Sequence, residues 1–246
     1  MRREVLMNEQ HSNYLYGKKY VALGDSFTEG DFSTFVDENG LKKRESPLLF
    51  DNEWNMFKTY PYWIGKRNNM EVINLAKCGG TITFMPEIGS NGNERSLSTI
   101  YKQVPLDADY VTIYIGINDS YKKAQIGDVK SDDSTNFCGA WNTVLRHLIT
   151  NLPYAKIGII ITNGCASQAY PDAVRRMARR WGIPYLDLEE DYSVPVMNAV
   201  RGRSEMCSEA RQLRTKAFSV SESNGHPNIQ AHKYLSTVVE HFMRSL

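Results

Sequence analysis

Neither sign of charge is in excess: 29 lysines and arginines face 28 aspartates and glutamates, a formal net charge of +1 with histidine neutral. Without a whole-molecule field there is nothing to gather a polyanion, so nucleic acid is not expected as a partner. Basic runs such as Lys42-Lys43-Arg44, and Arg175-Arg176 with Arg179-Arg180, are short and read as solvated faces. Cysteine is scarce. Cys78, Cys138, Cys165 and Cys207 are scattered and form no C-x-x-C pair, which argues against a structural zinc, a redox dithiol or a disulfide framework. No apolar run is long enough to span a membrane. The opening MRREVLMNEQHSNYLYGKK carries basic residues but no apolar stretch after them, so neither a secretory signal nor an anchor is read there. The expectation is a cytoplasmic protein or one exported by another route. No G-x-G-x-x-G follows a strand and no G-x-x-x-x-G-K-[ST] occurs, so a nucleotide or flavin would lack its phosphate cradle. No cofactor and no metal are expected. Repeats, low-complexity tracts and Pro/Ser-rich linkers are also missing, which predicts one domain over residues 1–246, with an N-terminal arm at 1–17 and a long loop insertion at 31–55.

What is present is an ordinary core-forming share of hydrophobic residues, 41%. Five short β-branched runs, Tyr20 to Leu23, Val72 to Leu75, Tyr110 to Ile115, Ile157 to Thr162 and Pro184 to Leu188, are nearly continuous in hydrophobicity, as strands buried on both faces must be. Helical spacing alternates with them. Trp141, Leu145, Leu148 and Leu152 share one face, Val174, Ala178 and Trp181 another, and Leu235, Val238, Val239 and Phe242 form a stripe behind Asn228, a good capping residue. The alternation predicts an α/β protein with a five-stranded parallel sheet.

Four stretches carry candidate chemistry. The first strand ends abruptly in Gly24-Asp25-Ser26, which places Ser26 at a strand's carboxyl end, where ligands bind in open α/β sheets. A serine there also has the plainer job of capping the next helix. After the second strand, Gly79 and Gly80 let backbone approach a ligand closely, or simply make a turn. After the third come Gly116 and Asn118, whose amide is able to donate to a developing negative oxygen or to form a turn. The fourth, Ser223-Asn-Gly-His226-Pro-Asn228, puts a histidine on a loop just before the last helix. The other histidines, His11, His147, His232 and His241, are expected to be partly exposed surface imidazoles.

In this order, the four stretches resemble the sequence blocks of the SGNH hydrolases, also called the GDSL esterase/lipase family, and the resemblance covers most of the chain. It implies a three-layer α/β/α sandwich with a flavodoxin-like five-stranded parallel sheet. It further implies Ser26 as nucleophile, His226 as general base, and an oxyanion hole from the Ser26 and Gly79 N–H groups with the Asn118 side chain. Asp25 and Asp119 are expected to be structural hydrogen-bonding partners. The implied activity is that of a serine esterase or lipase, cleaving an oxygen ester such as a carbohydrate O-acetyl or a short acyl ester.

One position departs from the pattern. The acid that orients the histidine stands three residues before it in the family, and here that residue is Ser223. A hydroxyl is able to hold a tautomer but supplies no charge to stabilise imidazolium. The readings left open are a Ser-His dyad with a backbone carbonyl as orienter, Glu222 beside it, or an acid from Asp187, Glu189 or Asp191, the first two being favoured. The competing functional reading is a non-catalytic carbohydrate-binding or structural domain on the same scaffold. Phe32, Phe35, Phe50 and Trp54 of the long loop are expected either to wall a pocket or to pack the loop onto the core.

Overall fold

The computed structural model describes residues 13–85, 94–190 and 209–246. Its strands, in chain order, are β1 (Lys19–Gly24), β2 (Phe50–Asp51), β3 (Met56–Phe57), β4 (Glu71–Asn74), β5 (Tyr110–Tyr114), β6 (Lys156–Ile161), β7 (Tyr185–Asp187), β8 (Ser219–Ser221) and β9 (Asn224–Pro227). The helices are α1 (Ser26–Glu29), α2 (Tyr60–Asn68), α3 (Leu97–Ile100), α4 (Ile117–Tyr121), α5 (Phe137–Asn151), α6 (Ala169–Trp181), α7 (Glu209–Phe218) and α8 (Ile229–Ser245).

Five strands form one parallel sheet in the order β4-β1-β5-β6-β7. Counting only these strands along the chain, that is the flavodoxin-like order 2-1-3-4-5, whose direction of progression reverses between β1 and β5. These strands coincide closely with the five runs legible in the sequence. Val21, Val111, Ile113, Ile159 and Ile160 are wholly buried, the condition that makes a parallel strand read as continuous hydrophobicity. Helices cover the sheet. α5 turns Trp141, Leu145 and Leu148 to the core with no exposure, and α8 does the same with Leu235, Val239 and Met243. Each such side chain contributes roughly 1.5–3 kcal/mol over an exposed position.

The caps fall where the side chains demand. Asn136 accepts from Gly139 N–H at 2.9 Å to open α5, and Asn228 accepts from Ala231 N–H at 3.0 Å to open α8. The segment 31–55 is not featureless: it holds a short 3-10 turn, Lys43–Glu45, and one arm of the β2–β3 hairpin. Its aromatics pack the loop. Phe32 and Phe50 are buried and each meets Phe57, at 5.5 and 5.2 Å between ring centres, while Trp54 stacks edge-on to Tyr62. Among the described residues, no helix is long and apolar enough to cross a membrane.

Candidate active site

The site forms where the sheet order reverses, at the carboxyl ends of β1 and β5. Gly24 ends β1 in contact so close that a Cβ there would lie 2.4 Å from Thr28 Oγ1 and 2.6 Å from the Tyr114 carbonyl oxygen, so only glycine lets the chain turn here. The capping role goes to Asp25, whose carboxylate accepts the Phe27 N–H at 3.0 Å. Ser26 is therefore the first residue of α1 with its hydroxyl left for other work. That hydroxyl lies 2.8 Å from Nε2 of His226, 200 positions away.

His226 is delivered by the β8–β9 hairpin. Its Nδ1 lies 2.6 Å from Oδ1 of Asn224, which also accepts the His226 backbone N–H at 3.1 Å. The reason is strand geometry: residues two apart on β9 project to the same side, so position 224 shares the imidazole's face. Ser223 and Glu222 lie at the exposed turn, where the Ser223 hydroxyl sits 3.2 Å from that of Ser221. The hydrogen bond at Nδ1 anticipated from Ser223, Glu222 or a backbone carbonyl is thus made by the Asn224 side chain. Asp187 is engaged elsewhere, in a two-pronged pair with Arg175 at 2.7 and 3.2 Å, and it also receives the Glu189 N–H. Asp191 lies outside the described residues.

A carboxylate does stand behind the histidine. Asp31 Oδ2 lies 3.9 Å from His226 Nδ1. Burial pushes its carboxyl up, but the Ser33 hydroxyl and N–H, the nearby imidazole and Asn224 outweigh that and hold it below the usual carboxylate range. The hairpin is tied to this loop by Asn224 Nδ2, which donates to the Asp31 carbonyl and the Ser33 hydroxyl at 3.4 and 3.3 Å, and by a 2.9 Å contact between Thr34 and Ser221 hydroxyls. Neither Asp31 nor Asn224 was singled out from sequence. Asn224 reads locally as a turn former, and its spacing of two from His226 becomes informative only once that segment is known to be a strand.

On the other side, Gly79 turns with φ +75°, a conformation glycine adopts without strain. Among the described residues no acceptor takes the N–H of Ser26 or of Gly79. Asn118, half-buried at the start of α4, gives one amide hydrogen to the Gly80 carbonyl at 2.8 Å and keeps a second donor. Asp119 beside it is fully buried and accepts from Ile82 N–H, Thr83 N–H and the Thr83 hydroxyl, which fastens the glycine segment to α4. Burial raises the Asp119 carboxyl, against the pull of the Thr83 hydrogen bonds. Burial also lifts Asp25 to about 7, opposed by the Phe27 N–H and assisted by the charge of Asp119. Phe27 fills the space beneath, edge-on to His226 with ring centres 5.3 Å apart and tilted against Tyr114.

One expectation about the histidines is overturned. His232 is no surface imidazole: it has no exposure, packs edge-on against Phe32, and neither ring nitrogen has a hydrogen-bond partner among the described residues. Burial, aided by His226, lowers it to about 3. The apolar face of α8 needs a side chain there, one turn beyond the cap, and the sequence stripe built on Leu235, Val239 and Phe242 extends backward to include it. His147 is half-buried and His241 exposed, while His11 lies outside the described residues. Among the described residues, no group of three His, Cys, Asp or Glu side chains is arranged to hold a metal ion.

A five-stranded parallel sheet in this order, flanked by helices, is the α/β/α architecture of the SGNH hydrolases. The chain belongs to the GDSL-like Lipase/Acylhydrolase family, which it matches over residues 22–234. Solved structures share the fold at low identity. A protein from Lactobacillus plantarum aligns with TM-score 0.66 and 20% identity over 94% of this chain and 98% of its own. An aryl esterase from M. smegmatis gives 0.59 and 15% over 94% and 100%. A carbohydrate esterase, described as displaying divergent catalytic and non-catalytic binding functions, gives 0.56 and 14% over 94% of this chain and 69% of that one. No curated protein matches the chain in sequence.

Proposed function

We propose that the protein is a serine ester hydrolase that passes through an acyl-enzyme on Ser26. The observation that carries this reading is the 2.8 Å contact between Ser26 Oγ and His226 Nε2. The Nδ1–H of His226 donates to Asn224 Oδ1, which fixes the tautomer that leaves Nε2 bare to accept the serine proton. An amide in this place is the arrangement of Cys-His-Asn proteases. Charge for the imidazolium then comes from Asp31, 3.9 Å away, instead of from a carboxylate directly bonded to the ring.

The steps are those of acyl transfer. Ser26 Oγ attacks the ester carbonyl as its proton moves to His226 Nε2. The tetrahedral oxygen takes the N–H groups of Ser26 and Gly79 and the second amide hydrogen of Asn118. His226 returns the proton to the leaving alcohol, and water, deprotonated by the same imidazole, releases the acid. The substrate class is an oxygen ester, an O-acetyl of a carbohydrate or a short acyl ester, and one structural neighbour is itself a carbohydrate esterase. The whole chain, residues 1–246, is taken as one unit serving this site. A binding-only protein was suggested by the missing acid at Ser223; against it stand Asn224, which orients the ring, and Asp31, which brings a negative charge within 3.9 Å of it.

The test is turnover of p-nitrophenyl acetate together with labelling by a fluorophosphonate. Both signals are expected and both should vanish in Ser26→Ala. A folded wild-type protein that neither turns over ester nor takes the label would leave a non-catalytic binding protein.

A further inference from the structure

Next to the reacting pair lies a cleft of about 810 Å³, within the range of small-molecule sites. It does not include Ser26 but begins beside it. Glu29 and Gly30 close the helix that Ser26 opens, Asp31 faces His226, and Cys78 precedes Gly79; all four line it. Phe32 and Phe57 supply apolar lining. The other conspicuous lining is cationic: Lys42, Lys43, Arg44, Lys77 and Arg95.

The sequence gives no reason for such a concentration, since the chain as a whole is near neutrality at +1. Nor is it balanced internally. Among the described residues none of these five side chains has a carboxylate within 4.0 Å, whereas Lys18, Lys19, Lys66, Arg67, Arg175 and others elsewhere each do. The lining also holds three carboxylates, so five cations against three anions leave a surplus of two positive charges; Glu29 accepts the Cys78 N–H, Asp31 accepts the Ser33 N–H and faces His226, and Glu45 accepts the Lys42 N–H. Two of the cations are also held in place. Arg44 lies over Phe50 at 4.6 Å and donates to Asn55, and Arg95 donates to the Cys78 carbonyl at 3.4 Å. Just past the cleft, Lys122 Nζ donates to the Gly79 carbonyl at 3.2 Å and adds to the same field. A cleft with surplus positive charge and an apolar lining, walled by the residues that flank Ser26, Gly79 and the His226 contact, complements a ligand with an anionic end.

Resting on the esterase reading, we infer that this cleft is the subsite for an anionic group, a carboxylate or phosphate carried by the ester that Ser26 attacks. The preferred substrate is then an acyl ester bearing negative charge, and a neutral ester of the same shape is a poor one. Lys42-Lys43-Arg44, read from sequence as a solvated face, becomes one wall of this subsite.

The experiment compares kcat/KM for matched acetyl esters whose alcohol carries a carboxylate, a phosphate or the neutral methyl ester, each corrected for its rate of alkaline hydrolysis. At low salt the anionic esters are expected to lead by about tenfold or more, and the lead should shrink steeply by about 0.5 M salt as charges are screened. The combined variant Lys42→Gln, Lys43→Gln, Lys77→Gln should collapse the anionic-to-neutral ratio. The remote pair Arg179→Gln, Arg180→Gln, exposed on α6, should leave that ratio alone. Comparing the carboxylate and phosphate arms says which anion the cleft takes. Equal rates for charged and neutral esters, or a lead for the neutral one, would overturn the inference while leaving the esterase intact. If no ester is turned over, calorimetric titration of the wild-type protein with the same free alcohols decides the cleft by itself. Tighter binding of the charged alcohol sustains the anion subsite, and equal or absent binding removes it.

Discussion

The two halves of the site are built by different physics. The Ser26 half is part of the core: Asp25, Thr28, Asp119 and Thr83 around it are buried, and its shape follows from strand ends that cannot move without moving the sheet. The His226 half is a short hairpin on the surface, held by side-chain hydrogen bonds from Asn224, Ser221 and the 31–34 loop. One half is preorganised by the fold and the other by docking. On the esterase reading both are needed: the halves meet at the 2.8 Å contact between Ser26 and His226 and at the edge-on contact of Phe27 with the imidazole.

Substitutions that erase one half outright should have the largest effect. Ser26→Ala is expected to lower kcat by about 10⁴-fold or more, since the remaining groups only polarise the carbonyl. Asn118→Ala, which removes one donor from the rigid half, should cost about 100- to 1000-fold in kcat with KM little changed. A loss confined to KM would show that Asn118 binds substrate without favouring the transition state. On the docked half, Asn224→Ala should cost about 10- to 100-fold as the imidazole loses its preferred tautomer. Asn224→Asp should recover most of that rate, and its acid limb in kcat/KM against pH should move upward as a full charge now faces the ring. Asp31→Asn should move the same limb downward, because the imidazolium loses its counter-charge. An unshifted limb would reduce Asp31 to a loop-holding role.

Effects on stability, which leave the reacting atoms untouched, divide along the same line. Asp25, in the rigid half, has a folded pKa of about 7 against an ordinary 3.8, so its contribution is complete below the lower value and is lost as pH rises through about 7. Asp25→Asn should therefore be the more stable protein at about pH 8, by at most about 4 kcal/mol, with the difference gone below about pH 4. Denaturant titrations across that range read it. His232, under the docked half, has the opposite sign. Its folded pKa is depressed to about 3 from 6.5, so stability is full above 6.5 and falls as pH drops from there towards 3. His232→Leu should flatten that acid loss.

This division also explains how much of the molecule is legible in one dimension. The sheet, the two long covering helices and the cap at Asn228 are local or periodic properties, and buried parallel strands announce themselves by continuous hydrophobicity. Ser26, Gly79, Asn118 and His226 sit near ends of such elements, where each alone reads as well as a cap or a turn; their joint order, through the family resemblance, is what singles them out. That order does not single out Asn224 or Asp31. Asn224 matters because of the pairing of two very short strands, and Asp31 because a loop folds back 195 positions away from the histidine it faces. Neither spacing is encoded in a period. His232 was misread for a related reason: polarity suggested the surface, and the apolar surroundings of α8 prevailed. The cations of residues 42–44 are exposed, as a solvated face should be; what one dimension does not show is that they share a cleft with Phe32 and Phe57.

Phe27 has a part in both constructions. Its backbone N–H closes the cap that frees the serine, and its ring is the surface on which the imidazole rests. The seat of the imidazole is therefore set by an edge-on contact with one aromatic ring anchored in the core. A smaller side chain at this position would let His226 tip away from Ser26, so on the proposed mechanism ester turnover would fall with every reacting atom still present.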